Sequence, residues 1–417
     1  MSRIQIITVS NSITALALKF DEVKLYYTGS KEVYKGIIEQ SPILSFDPNE
    51  ITLGDTTSKR KLPFWNRFKK LVGYSPKAQE IELNRAKGEA LAKLLGLAIP
   101  KTYVVNSVKE AISILKKEKD LYCIKFDDNL FGDSTFIPEK SNEEAIAFLE
   151  SLEIKRSVKI DLQKVIKGYE VSTEAWFNSE GEVVNLNHTF ERKPLLNGDI
   201  GPFIGCAFSI VWNVPESEWK TDLIGKYLLK PKMKEIVTQI LKYVGPIDVN
   251  CIVDSKTNQP YFLEWTPRFG YSAIYAWWEL LLEDNPFEKL FNNDGIIQVR
   301  EDTIAYAYRV WLPPYPAYCP DENFDKKYYR EVLHGKIIAS EKFIKHPNIR
   351  WFDVYVEDGF IKCVGEDGVI AEVVSLDEPY PFGRIKKIML CKPCARTDIP
   401  AFLPDFYRVY LNYPMEI

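Results

Sequence analysis

The sequence lacks an excess of charge of either sign. Across 417 residues, 54 Lys and Arg stand against 58 Asp and Glu, a formal net charge of −4. No bulk basic field is available to hold nucleic acid without regard to its sequence. Cysteine is scarce: there are seven, an odd number, scattered from Cys123 to Cys394. That usage excludes a disulfide framework and fits a reducing compartment. Cys391 and Cys394 make a lone CxxC with no second pair, short of the four ligands of a zinc ribbon, and read as incidental thiols. Long apolar runs are missing as well. The uncharged stretch Ile4 to Leu18 is broken by Gln5, Thr8, Ser10 and Asn11, and no clear small-residue cleavage site follows it. The stretch Ile200 to Pro215 is shorter than the ~20 residues of a spanning helix and contains Gly201, Pro202 and Gly205. These absences predict a cytoplasmic protein without a membrane partner. No internal repeat or heptad array is present.

What is there is ordinary globular material. The chain is 46% hydrophobic and 27% charged, enough to bury a sizeable core. At ~150 residues per domain, two to four domains are expected. Ile4 to Val9 reads as an opening strand and Lys24 to Tyr27 as another. Asp47 to Pro76 is polar and irregular and reads as a linker. Its basic residues, Lys59 to Lys61 with Arg67, Lys69 and Lys70, read as a solvated loop. Ala78 to Leu97 has helical spacing closed by Gly96. Leu121 to Phe126 and Val158 to Ile166 read as strands. Glu170 to Phe177 with Val183 to His188, and Ile247 to Asp254 with Tyr261 to Thr266, read as two hairpins. Lys232 to Tyr243 and Tyr271 to Leu282 read as helices, and the tail from Asp302 onward is strand-rich.

Chemistry is carried by the order of these elements. A strand bears Lys125. A loop with Gly132 follows, then a strand opening Gly168-Tyr169-Glu170. Later a hairpin presents Asp248 and Asn250 on one strand and Glu264 and Thr266 on the other. With ATP as ligand, each part has a job. A strand lysine offers a point charge to phosphates, and a glycine loop brings N–H groups to phosphate oxygens. Glu170 can accept ribose hydroxyls, and oxygen side chains on paired strands can share a Mg²⁺. The period of two puts Asp248 and Asn250 on one face.

Three segments sharpen this: Tyr261 to Gly270 (YFLEWTPRFG), Gly168 to Ser172 (GYEVS), and Lys193 followed by Asn197-Gly198-Asp199-Ile200-Gly201-Pro202 and Gly205. They resemble the ATP-grasp superfamily, and within it phosphoribosylamine–glycine ligase. The resemblance spans roughly Ala78 to the C-terminus. It implies an α+β ATP-grasp fold in three parts. Residues 1–77 form a short N-terminal α/β region and linker, and 78–298 the nucleotide-binding and catalytic domain, with a mobile lobe at about 120–180. Residues 299–417 form a strand-rich C-terminal domain. It further implies an ADP-forming ligase that joins a carboxylate to an amine through an acyl phosphate, with ATP and Mg²⁺. Lys87, Lys125, Gly132, Ser134, Val165, Ile166 and Glu170 would bind nucleotide. Glu264, Asn250 and Thr266 would hold the metal. Lys193 and Arg268 would stabilise the transferring phosphate or acyl oxygens.

The chain departs from that pattern at instructive places. The loop from Phe126 to Ser134 carries extra acids and no second lysine, and Thr266 stands where the family has Asn. The N-terminal region lacks the family's glycine-rich opening turn. An altered acceptor is therefore expected: a modified nucleotide, an amino sugar phosphate or another amine, with glycine among the candidate acids. A glutathione-synthetase-like or peptide-forming ligase is the enzyme alternative. A different class, a nucleotide-binding or interaction protein without turnover, would use Tyr275, Trp277 and Trp278 as a partner surface; ordinary core packing is their plainer reading. A nucleic-acid partner finds no module signature.

Overall fold

A computed structural model describes residues 3–10, 12–56, 60–126, 135–152, 157–292, 295–316, 322–376, 378 and 382–412. The N-terminal part is a parallel sheet ordered Glu22–Tyr27, Arg3–Thr8, Ile51–Asp55, Lys70–Val72. The predicted linker therefore contributes two strands. Ile51, Leu53, Leu71 and Val72 supply short apolar stretches that flanking polar residues disguise in sequence. The basic run is likewise divided. Arg67 holds the carbonyls of Ile43 (3.4 Å) and Leu44 (3.2 Å), while Lys70 lies over the Phe291 ring.

The helical stretch expected over Ala78 to Leu97 is two helices, Pro76–Leu83 and Arg85–Leu95, broken at Asn84. Ser75 caps the first by accepting from the Lys77 and Ala78 N–H groups. The Asn84 side chain caps the second by accepting from the Lys87 N–H. Capping competes with continuation, and here the polar side chain wins. Gly96 closes the second helix at φ 83°, as its sequence position predicts.

A small lobe follows. Its antiparallel sheet runs Thr102–Val105, Ile160–Lys164, Tyr122–Phe126, Thr135–Phe136, backed by helices Val108–Leu115 and Asn142–Ser151. It has its own core, including Tyr122, Ile124, Leu149 and Leu162.

The larger unit is an eight-stranded antiparallel sheet. Its order is Pro260–Thr266, Gly245–Asp254, Gly168–Phe177, Val183–Leu196, Ile200–Asn213, Ile304–Trp311, Val369–Leu376, Ile349–Trp351. The glycine-bearing uncharged run is thus one of its long strands. Three tail strands extend this sheet, and three more form a separate small one, Ile337–Ser340, Phe360–Cys363 and Val354–Glu357. The segment expected as a helix over Lys232 to Tyr243 is an α-turn, Pro231–Glu235, passing into a π-helical turn, Ile236–Leu241.

Helix Tyr271–Leu280 packs on the sheet. Tyr275 and Trp277 are buried, Trp278 is nearly so, and Trp277 stacks on Trp176 at 4.2 Å. The aromatics are core, which removes the partner-surface reading. Among the described residues no helix is long and apolar enough to cross a membrane. Six described cysteines, Cys391 and Cys394 among them, are free thiols.

Candidate active site

Strand alternation builds the site. Register pairs Asn250 with both Ser172 and Glu264, and Asp248 with both Glu174 and Thr266. Directly paired residues project to the same side of a sheet. Glu170, Ser172, Glu174, Asp248, Asn250, Glu264 and Thr266 therefore share one polar face. Val171, Ala175, Val249 and Cys251 line the other side and are buried. Gly168 opens its strand where a Cβ would meet the Val253 carbonyl oxygen at 1.8 Å, so the two strands approach too closely for any other residue.

Four predicted residues meet on that face. The Lys193 ammonium donates to Glu170 Oε1 at 2.7 Å and lies 3.7 Å from Glu264 Oε1. Asn250 Nδ2 donates to the same Glu170 oxygen at 3.0 Å. Burial works to raise the Glu170 carboxyl, but Lys193 and the Asn250 bond outweigh it and hold it below the usual range. Burial likewise opposes charge on Lys193, but Glu170, Glu264 and Glu191 overcome it and hold the ammonium well above its ordinary value. Asp248 Oδ1 and Asn250 Oδ1 are buried without a hydrogen-bond partner. Oxygen acceptors left open beside Glu264 suit a hard cation. Among the described residues no three His, Cys, Asp or Glu side chains cluster tightly enough to hold a metal alone.

Lys125 comes from the small lobe. Its ammonium donates to Gln163 Oε1 at 2.7 Å. Burial, with Arg85 nearby, holds it below the ordinary lysine value against the pull of Glu264 and Asp161. Val165 and Ile166 are half-buried in the segment joining the lobe to the large sheet, where the Val165 N–H donates to the Leu121 carbonyl at 2.8 Å. Gly132 and Ser134 lie outside the described residues.

Two predicted residues are placed differently. Lys87 is exposed and pairs with Glu80 at 2.6 Å, away from the cluster. Its neighbour Arg85 reaches the lobe instead, pairing with Asp161 at 2.5 Å opposite Lys125. Arg268 is largely buried and held by Glu82 through Nε (3.0 Å) and Nη2 (2.8 Å), with its guanidinium 5.0 Å over the Tyr271 ring. It does not touch the Lys193 cluster, although its charge helps hold down the Glu191 carboxyl.

Two acids on this face, Glu174 and Glu191, were not singled out in sequence, and Asp248 was noted there only as sharing the face of Asn250. Burial pushes Glu174 up to about 8 and Glu191 up to about 7. Burial, then Glu191 and Glu174, hold Asp248 well above the carboxylate range. The period-two alternation from Glu170 through Glu174 is the signal that would have found Glu174. A cavity of about 330 Å³ lies beyond the ends of the first two parallel strands. Ser10, Ser12, Tyr271, Tyr275, Arg309 and Glu372 are among its walls.

Comparison with known proteins agrees with this geometry. Residues 88–273 match the family model for the phosphoribosylglycinamide synthetase ATP-grasp (A) domain. The phosphoribosylamine–glycine ligase of Helicobacter pylori (strain ATCC 700392 / 26695) is 23% identical over 204 residues, covering 48% of this chain and 46% of the relative. The chain thus spans about half the length of the curated relative it matches. A Thermotoga maritima phosphoribosylamine–glycine ligase structure superposes with a TM-score of 0.70 at 17% identity, over 95% of this chain and all of that one. An ADP complex of N5-carboxyaminoimidazole ribonucleotide synthetase gives 0.52 at 12% identity, over 92% and 95%. The fold is that of the ATP-grasp enzymes. Within that class the chain resembles phosphoribosylamine–glycine ligase, and it has diverged far from it.

Proposed function

We propose that this protein is an ADP-forming carboxylate–amine ligase with an acceptor different from that of its purine-pathway relatives. The observation that carries the reading is the Lys193–Glu170–Asn250–Glu264 cluster facing Lys125 across the two lobes. A bare scaffold has little use for two lysines and two acids gathered about one sheet face, with Lys193 and Glu170 partly buried and Glu264 open to the cleft. ATP and Mg²⁺ are the cofactors the ATP-grasp fold implies.

Lys125 binds the phosphates, and Val165 and Ile166 flank the base. Glu170, oriented by Lys193 and Asn250, accepts from the ribose. Glu264 and Asn250, with Thr266 beside them, would hold Mg²⁺, which neutralises phosphate oxygens when bound. In the first step a carboxylate oxygen of the acid attacks the γ-phosphorus. An O–P bond forms, the bond to the β–γ bridging oxygen breaks, and ADP leaves. Lys193 offsets the charge developing on the transferred oxygens. In the second step an amine lone pair attacks the acyl carbon. The C–N bond forms, the C–O bond to phosphorus breaks, phosphate leaves with the electron pair, and the ammonium proton passes to solvent. Glycine is one candidate acid.

The test is Mg²⁺-dependent ADP release in the presence of an acid and an amine, compared with Glu264→Ala. The variant is expected to lose it, and undiminished turnover would remove the metal role. One observation favours a second reading, a nucleotide binder without turnover: Thr266 offers a poorer Mg²⁺ ligand than an amide. That protein would bind ATP and release no ADP with any acid and amine pair.

A further inference from the structure

Lys193 sits where its strand leaves the ladder. Toward strand Gly168–Phe177 the last paired residue is Thr189, opposite Ser172. Toward strand Ile200–Asn213 the pairing jumps from Arg192 with Phe208 to Pro194 with Phe203, and again to Leu196 with Ile200. Four residues, 204–207, therefore stand opposite Lys193 alone. Such bulges re-aim a side chain and are frequent beside active sites. Pro194 adds to the break, because it has no N–H to give to a ladder. The lysine must be held in place by something other than regular pairing.

The support comes from the tail, about 200 positions on. Arg396 is completely buried, and its guanidinium donates to the Pro194 carbonyl at 2.9 Å and to Asp199 Oδ1 at 3.0 Å. It thus ties the arm just past Lys193 to the tip of the hairpin. A bidentate pair with Asp398 fixes the fork itself, Nε to Oδ1 at 2.9 Å and Nη2 to Oδ2 at 2.7 Å. Asp398 also accepts from the Gly198 N–H at 2.7 Å, and Asn197 Oδ1 accepts from the Thr397 N–H at 3.0 Å. On the other arm of the bulge, Arg309 holds the Ile204 carbonyl at 3.1 Å. The tip itself faces solvent: Leu196 and Ile200 are exposed, and Asp199 takes a left-handed φ of 56°, uncommon outside glycine. A fully buried arginine with two acids is costly to assemble, and a turn that only faces solvent has no need of one.

Given the role of Lys193 proposed above, on which this rests, we infer that Arg396 is a positioning residue for that lysine. Through the Pro194 carbonyl and Asp199, residues 396–398 clasp the bulged end of the hairpin and set the Lys193 ammonium against Glu170 and beside Glu264. With the clasp removed, the bulge relaxes and the ammonium leaves these two carboxylates, now 2.7 and 3.7 Å away. The tail is then part of the transfer machinery although it touches neither nucleotide nor metal site.

The experiment reads Lys193 directly and uses no turnover. The full chain, without nucleotide, is pulse-labelled with acetic anhydride, and peptide mass spectrometry gives the acetylation rate at each lysine. In the parent, Lys193 is expected to label more slowly than the exposed Lys87. In Arg396→Ala the Lys193 rate is expected to rise about ten- to a hundredfold, the range for losing a charged hydrogen bond, with Lys125 of the small lobe unchanged. Arg396→Lys, which can still donate to the Pro194 carbonyl, is expected to recover part of that difference. A folded Arg396→Ala protein whose Lys193 labels at the parental rate overturns the inference. An equal rise at Lys193 and Lys125 also overturns it, because it marks general loosening. Where Arg396→Ala does not fold, Asp199→Ala opens the same clasp from the hairpin side. It is expected to raise the Lys193 rate about two- to fivefold, the range for a partly exposed pair, and no rise there overturns the inference equally. ADP release, measured separately on the parent with acid and amine pairs, tells failure of the ligase reading from failure of this one.

Discussion

Glu174 gives the sharpest test of how the polar face is built. Its side chain is buried, one oxygen accepts from the Trp176 indole at 2.9 Å, and Asp248 stands directly across from it. Burial is the main reason its carboxyl rises from 4.5 to about 8. Below pH ~4.5 both folded and unfolded chains hold this proton, and Glu174 makes no pH-dependent contribution. Between ~4.5 and ~8 the folded chain keeps a proton that the unfolded chain has lost, so this group's contribution falls as pH rises. Above ~8 the loss is complete, and at ~1.36 kcal/mol per pKa unit it amounts to roughly 4–5 kcal/mol. Glu174→Gln keeps the oxygen that accepts from Trp176 and removes the proton equilibrium. In urea unfolding without nucleotide, the variant is expected to match the parent near pH ~4.5 and to exceed it by several kcal/mol near pH ~9. Equal stability of the two proteins at the alkaline end would refute the burial argument for this face.

The remaining predictions separate residues that look alike in sequence. Lys125→Met should weaken ATP about ten- to a hundredfold by calorimetry, the range for losing a charged hydrogen-bond donor to phosphate. Lys87→Ala should change neither ATP affinity nor stability by more than ~0.5 kcal/mol, because its pair with Glu80 is exposed. Arg85→Ala should do more. It strips the partner from Asp161, which is buried, and limited proteolysis should then cut the small lobe faster. Gly168→Ala forces a methyl into the Val253 carbonyl and should destabilise the chain by at least ~1–3 kcal/mol in thermal melts.

Elements were legible where the local signal and the tertiary demand agree. The hairpins around residues 178–181 and 255–259 show alternating strands flanking polar turns, and both form. The α+β architecture followed from the resemblance, whose segments Gly168 to Ser172 and Tyr261 to Gly270 lie in or next to these hairpins. Illegible elements were those whose cause is not local. The strands Ile51–Asp55 and Lys70–Val72 are too short to show a period, and burial against the first strand stabilises them. The helix break at Asn84 depended on a single side chain choosing a cap over a helical interior. The uncharged run Ile200–Asn213 gave no alternation to read, because successive residues from Cys206 to Asn213 are buried and both faces of the strand are covered there.

The site divides along the same line. Asn250 and Glu264 could be read from sequence because spacing within each strand fixes the face they share, and Glu170 from its place at a strand opening; Lys193 came from the resemblance, and the register brings the four together. Lys87 was named because the resemblance puts a lysine at the opening of this helix; in the structure Arg85, the first residue after the Asn84 cap, is the one that reaches Asp161 of the lobe. Arg268 could be found but not its partner, since Glu82 lies 186 positions away. The cavity beyond the first two parallel strands was hidden altogether. Its walls come from the loop after residue 8, helix Tyr271–Leu280, and strands Ile304–Trp311 and Val369–Leu376. No window of sequence contains more than one of these. Chemistry common to a class lies within strands and survives divergence as spacing. Cavity walls lie between elements: Ser10, Ser12, Arg309 and Glu372 are brought together only by the fold.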